Sequence, residues 1–107
     1  MSEDHHHRDI PATLKVAETW APIFKMLGDT TRLKLLAAIH FSGQHVLSVG
    51  ELAEVTGLQV ATASASLRAM EAHGVVVAQR DGRTIRYGIA DDNIHELMHW
   101  VGLGHQH

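Results

Sequence analysis

The chain has 107 residues, a formal net charge of -3 at pH 7, and 45% hydrophobic against 20% charged residues, which bounds it to one small globular domain without the deep cleft of a two-lobed enzyme. It has no cysteine, so disulfides, iron–sulfur clusters and thiolate metal sites are excluded, and no apolar run is long enough to span a bilayer, so no membrane partner is expected. Its compositional anomaly is ten histidines.

The N-terminal "MSEDHHHRDI" is acidic and polar rather than basic then apolar, so it does not read as a secretory signal and a cytoplasmic protein is expected. Residues 1–11 lack an apolar period and are predicted as a flexible tail. Its His5, His6 and His7 are either a remnant of expression or a mobile metal arm. Pro11 suits the first turn of a helix starting at Ala12, and Val16, Trp20, Ile23, Phe24 and Leu27 recur at helical spacing up to the break at Gly28. Asp29 or Thr30 can cap a second helix, "TRLKLLAAIH", that buries Leu33, Leu35, Leu36 and Ile39. "FSGQHVLS" is a connector with room for a short strand. Ser48 can cap the short helix "VGELAEVTG", ended by Gly57, and "VATASASLRAMEAHG" forms another, ended by Gly74. Two short helices joined by a tight turn are a helix-turn-helix.

"VVVAQRDGRTIRYGIA" then holds two β-rich runs flanking Asp81-Gly82, a dipeptide suited to a hairpin turn, and predicts a β-wing. Asp91 or Asp92 caps a last helix with Ile94, Leu97, Met98 and Val101 on one stripe, stopped by Gly102 and Gly104. The expected fold is mainly α with a small β-wing, a winged helix-turn-helix over residues 12–103, followed by a His-containing C-terminal tail at 104–107. The first and last helices carry more apolar face than one small protomer can hide, so a homodimer through these two helices is expected.

Charge is unevenly distributed. Between Gly57 and Ala90 four basic residues (Arg68, Arg80, Arg83, Arg86) outnumber two acidic ones (Glu71, Asp81), an asymmetry that suits double-stranded DNA. A helix entering the major groove needs short polar side chains, and Gln59, Thr62, Ser64 and Ser66 supply donors and acceptors for base edges or phosphates. Arg68 can clamp the backbone, while Arg83 and Arg86 can meet phosphate or an adjacent minor groove. The bland alternative is a solvated face with a rim of arginines that serves solubility.

"HELMHWVGLGH" satisfies H-E-x-x-H-x-x-G-x-x-H through His95, Glu96, His99, Gly102 and His105, the pattern of a metzincin protease. The protease reading is set aside, because residues 12–90 already build the winged helix and leave no sheet for an extended substrate. The expected methionine turn beyond the third histidine is also absent from the two residues that follow, Gln106 and His107. Metal binding without catalysis survives, since His95 and His99 stand one helical turn apart on one face and His105 can swing back. Without sulfur donors, imidazole and carboxylate ligands favour zinc, nickel or cobalt over cadmium, lead, arsenite or copper(I).

"FKMLGDTTRLKLL", "LSVGELAEVTGL" and "LRAMEAHGVVVAQRDGRTIRYGI" together resemble the ArsR/SmtB family of dimeric, metal-sensing winged-helix repressors, over roughly Val16 to Val101. One departure is "SASL" at Ser64 to Leu67, where the family commonly has S-x-H-L. The resemblance implies an operator released when a divalent metal binds on the last helix across the dimer interface. It places Asp91 at the first family aspartate and His107 at a final carboxylate or histidine. The intervening family histidine corresponds to Asn93, and a later one to Gly104 with His105 one residue on, so the implied site is re-registered. The implied ligands are therefore Asp91, His95, His99, His105 and His107. The readings that compete with a metal-responsive repressor are a winged-helix regulator blind to metal and a metal-storage protein.

Overall fold

A computed structural model describes residues 2–102, with side chains from residue 9 onward. Five helices and one hairpin follow in the order α1 (Ser2–Leu27), α2 (Thr30–Ser42), α3 (Val49–Thr56), α4 (Val60–Ala72), β1 (Val76–Asp81), β2 (Thr84–Ile89) and α5 (Asp92–Trp100). This is the winged helix-turn-helix expected. The first helix begins at Ser2, ahead of the Ala12 that the apolar period suggests, with Pro11 and Pro22 inside it. An apolar period marks where a helix packs, not where its hydrogen bonds begin. A polar stretch without glycine continues the helix without leaving an apolar trace. Its 26 residues reach about 39 Å, which makes the molecule elongated, 56 × 26 × 25 Å.

The core forms around α2. Leu35, Leu36 and Ile39 are buried there, against Leu52 of α3, Leu67 and Met70 of α4, Val75 and Val76 at the root of the wing, and Ile94 and Met98 of α5. Side-chain caps set three helix starts. Asp29 Oδ2 accepts from the Arg32 backbone N–H at 3.0 Å. Ser48 and Glu51 form a reciprocal capping box, with the Glu51 N–H donating to Ser48 Oγ at 3.2 Å and the Ser48 N–H to Glu51 Oε1 at 2.8 Å. Asp91 Oδ1 accepts from the N–H groups of Asn93 and Ile94 at 2.7 and 3.2 Å. Each cap satisfies amide donors that the first helical turn leaves open.

The hairpin is antiparallel, with Val76 opposite Ile89 and Asp81 opposite Thr84. The two turn residues are therefore Gly82 and Arg83, one position later than the Asp81-Gly82 pair suggests. Gly82 has φ +63, the left-handed conformation that a type II′ turn needs at its first central position. The short strand expected in the connector is reduced to a single bridge, Ser48 with Arg86. In its place Gln44 holds the second strand, donating through Nε2 to the Ile89 carbonyl at 2.8 Å and accepting the Ile89 N–H at 2.7 Å. The His45 N–H adds a bond to the Tyr87 carbonyl at 3.1 Å. Gly88 lies directly beneath this clasp. A Cβ there would stand 2.9 Å from His45 Nε2 and 3.1 Å from Gln44 Oε1. No helix among the described residues is long and apolar enough to cross a membrane.

Candidate functional site

The helix-turn-helix is α3, a turn through Gly57, Leu58 and Gln59, and α4. Ala63, Leu67 and Met70 are the buried positions of α4, and their i, i+4, i+7 spacing turns the opposite face outward. That outward face carries Ala61, Ala65, Arg68 and Ala72, all exposed, with Thr62 beside it and Gln59 exposed at the N-cap. The surface that would enter a groove is thus centred on alanines. Small side chains there let the helix backbone come close to base edges, while Thr62 and Arg68 reach from the flanks.

The two serines chosen from the sequence are less prominent. Ser64 and Ser66 are only half-exposed, and Ser64 Oγ accepts from Arg68 Nη1 at 3.0 Å. Ser64 thus orients the Arg68 guanidinium, and Ser66 falls next to the core-facing Leu67. The inward period of Ala63, Leu67 and Met70, legible in the sequence, already places Ala61 and Ala65 outermost.

On the wing, Arg83 is exposed at the turn. It lines an open groove of about 410 Å³ together with Ser48, Val49 and Gly50 of the α3 start, Val60 and Ser64 of α4, and Thr84 and Ile85. Arg83 therefore shares one recess with the N-terminal ends of both reading helices, where backbone N–H groups favour phosphate. Arg86 is half-buried, and its Nε donates to the Val46 carbonyl at 3.3 Å. This contact ties Arg86 to the base of the wing. Arg80, part of the basic excess along this stretch but given no contact of its own from the sequence, is exposed on β1 opposite Ile85.

The capping box adds charge near the groove: hydrogen bonds from the Ser48 backbone and hydroxyl, aided by Arg86, hold the Glu51 carboxyl below the usual carboxylate range. Tyr87, buried under the wing, is pushed up, first by loss of solvent and then by the Glu71 carboxylate.

Of the expected metal ligands, Asp91, His95 and His99 lie among the described residues, and His105 and His107 lie outside them. His95 is half-buried, and its ring meets the ring of the buried His40 edge-on, with centroids 4.7 Å apart. His99 is exposed beside Trp100. Asp91 is occupied in capping α5. Among the described residues no three histidines or carboxylates stand close enough together to hold a metal ion. The donors fit a transition metal in kind, two imidazoles on successive turns, and the described residues do not complete the set.

An apolar groove of about 410 Å³ separates α1 from α5, lined by Trp20, Phe24, Asn93 and Leu97. Ile10, Leu14, Val16 and Phe24 of α1 remain exposed, as do Trp100 and Val101 at the end of α5.

These features define a winged helix-turn-helix transcriptional regulator, and comparison with known proteins agrees. The MarR family description matches residues 29–84. The chain is 30% identical over 78 residues to the cadmium resistance transcriptional regulatory protein CadC homolog of Staphylococcus aureus, covering 73% of this chain and 63% of that protein. It is 32% identical over 82 residues to the HTH-type transcriptional regulator YgaV of Escherichia coli, covering 77% and 81%. It superposes with a TM-score of 0.72 and 27% identity on the homodimeric winged helix-turn-helix DNA-binding domain of a Mycobacterium bovis protein described as a possible ArsR-family transcriptional regulator, covering 89% of this chain and 93% of that one. The chain belongs to the ArsR/SmtB family of winged-helix regulators, with a DNA-reading domain of the MarR type. It spans a little under two thirds of the CadC homolog's length.

Proposed function

We propose that the protein is a homodimeric repressor that binds double-stranded DNA through α4 and the wing and leaves its operator when zinc, nickel or cobalt binds near α5. The observation that carries the DNA part is the geometry of α4. Its outward face is small and uncharged except for Arg68, and Arg83 shares a groove with the start of α3 and α4. A helix built this way can lie deep in a major groove while arginines take the phosphates.

The second copy is supported by the unburied apolar side chains along α1 and at the end of α5, and by the homodimeric neighbour of the same fold. Packing those faces together sets two recognition helices side by side for a pseudo-palindromic site.

The metal part is supported by His95 and His99 on one face of α5 and by the cadmium-related name of a relative. Cadmium itself is disfavoured here, because the chain has no cysteine and soft ions prefer sulfur donors. His95 and His99 would hold the ion, with the remaining donors from Asp91, His105, His107 or the second protomer. A bound ion would supply a cross-link between α5 and the element that carries those donors, and a coupling of about 1–3 kcal/mol would change operator affinity roughly 5- to 150-fold.

The test uses duplexes selected from a random pool by metal-free protein, then titrated with and without each ion. Release by zinc, nickel or cobalt is the expected result. Binding indifferent to all three would make the protein a metal-blind regulator. Metal uptake without any selected duplex would make it a storage protein, and zinc-dependent peptide hydrolysis would restore the protease reading of the HExxH stretch.

A further inference from the structure

We propose a second ligand site, for a small oxyanion, in the cleft where the end of α1, the start of α2 and the end of α4 meet. The cleft has a volume of about 250 Å³ and is lined by Pro22, Lys25, Met26, Arg32 and His73. Three of these five side chains are basic, each comes from a different helix end, and no acid is among them.

The arrangement calls for an anion on three grounds. Lys25 and the Arg32 guanidinium bring positive charge into one recess, and like charges at short range repel unless an anion or water intervenes. Arg32 Nε is buried and has no hydrogen-bond partner among the described residues, so a strong donor has lost water without replacement. The nearby Asp29 carboxylate accepts from the Arg32 backbone at 3.0 Å as the helix cap. Arg32 also stands in the first turn of α2, the positive end of that helix.

The third ground is His73, the C-cap of α4. Its Nδ1 lies 3.0 Å from the Ala69 carbonyl. A carbonyl only accepts, so Nδ1 carries the proton, and Nε2 donates to an oxyanion when the ring is an imidazolium, a form that a bound anion itself favours. The same contact covers one of the carbonyls at the negative end of α4, which would otherwise disfavour an anion.

The space suits phosphate, sulfate or a small carboxylate and is below the usual range for a drug-sized ligand. Two sources share this chemistry: a free oxyanion and a phosphate of the DNA backbone. Occupancy would brace the end of the recognition helix against α1 and α2. The proposal concerns neither α5 nor its histidines, and its free-anion arm stands without DNA binding.

The experiment titrates the full chain with inorganic phosphate at constant ionic strength held with sodium chloride, following the melting temperature and the His73 ring resonance. Wild type should show saturable binding and a rise in melting temperature of on the order of 5 °C near saturation. Arg32→Gln and Lys25→Gln should each weaken phosphate binding tenfold or more. Lys25 is exposed, so its variant keeps the test decisive if the Arg32 variant folds poorly. Lys34→Gln, a basic position outside the cleft, should change nothing.

If phosphate does not saturate, yet Arg32→Gln and Lys25→Gln each reduce the slope of log affinity against log salt for duplex by about one, the site is confirmed with the DNA backbone as its source. No saturable phosphate binding together with an unchanged salt slope overturns the proposal. So does an equal loss in Lys34→Gln.

Discussion

Replacing Gly88 with alanine should loosen the wing from the body of the protein, and the structure sets the size of the effect. A Cβ at this position would stand 2.9 Å from His45 Nε2, 3.1 Å from His45 Cε1 and 3.1 Å from Gln44 Oε1. The Gln44 amide cannot retreat without breaking its bonds of 2.8 and 2.7 Å to the Ile89 carbonyl and N–H. Those two bonds are worth about 1 kcal/mol each, and pressing a methyl into a packed site costs about 1–3 kcal/mol. Water can reach the exposed Gln44 side chain and replace those bonds, so the cost of the methyl itself governs, about 2 kcal/mol. For a domain of this size that lowers the melting temperature by on the order of 10 °C. Urea unfolding at fixed protein concentration measures it, because the stability of the proposed dimer would depend on concentration. A second variant identifies the clash. His45 has φ 58, a left-handed backbone that strains a non-glycine residue by about 1 kcal/mol or more. His45→Gly therefore removes both strain and ring, and Gly88→Ala should be less damaging in that background by about 1 kcal/mol. Gly88→Ala as stable as wild type would refute the close-approach argument. A double variant no better than additive would show that the His45 ring is not the obstacle.

Three other expectations follow from the same geometry. Arg68→Ala should weaken duplex binding and lower its salt dependence by about one unit of slope, with circular dichroism unchanged. Ser64→Ala should do less, since Ser64 acts by orienting Arg68, and the double variant should resemble Arg68→Ala in an electrophoretic titration. His95→Ala or His99→Ala should lower metal affinity and abolish metal-driven release while metal-free operator binding stays near wild type. Glu96→Gln should alter the metal response only modestly, and a His95→Ala variant that still releases at the wild-type metal concentration would redirect the assignment to His105, His107 and the N-terminal histidines. The Ser48–Glu51 capping box should make stability fall in acid. The folded Glu51 carboxyl is held below its unfolded value, so its contribution is complete above the ordinary carboxylate range and is lost as pH falls through the lowered value. Melting curves of wild type and Glu51→Gln should run parallel above about pH 5 and approach one another below it; curves parallel down to pH 3 would contradict the capping assignment.

The sequence by itself determined the order and kind of the elements. Local rules are legible where one residue settles one event: Asp29 and Ser48 start helices, Gly57 ends one in a left-handed cap, and Asp91 starts α5. The alternation of hydrophobic periods separated helices from the hairpin for the same reason, because each period is a property of a single element. It failed at α1, where Ser2 to Pro11 are helical with no apolar stripe to reveal it.

What only the tertiary structure decided is which side of each element faces what. Ser64 and Thr62 look alike as letters, yet Ala63, Leu67 and Met70 turn toward the α2 core and leave the alanines, Thr62 and Arg68 outermost. Arg83 and Arg86 are both wing arginines in the sequence. Contact between the wing base and the Val46 carbonyl anchors one, and the turn projects the other. The histidine motif shows the limit most clearly. Spacing places His95 and His99 one turn apart on α5, while the pairing of His95 with His40 depends on how α5 packs across α2, a contact between residues 55 positions apart in the chain. Burial of this kind is a sum over the whole core, and no local stretch of residues contains it.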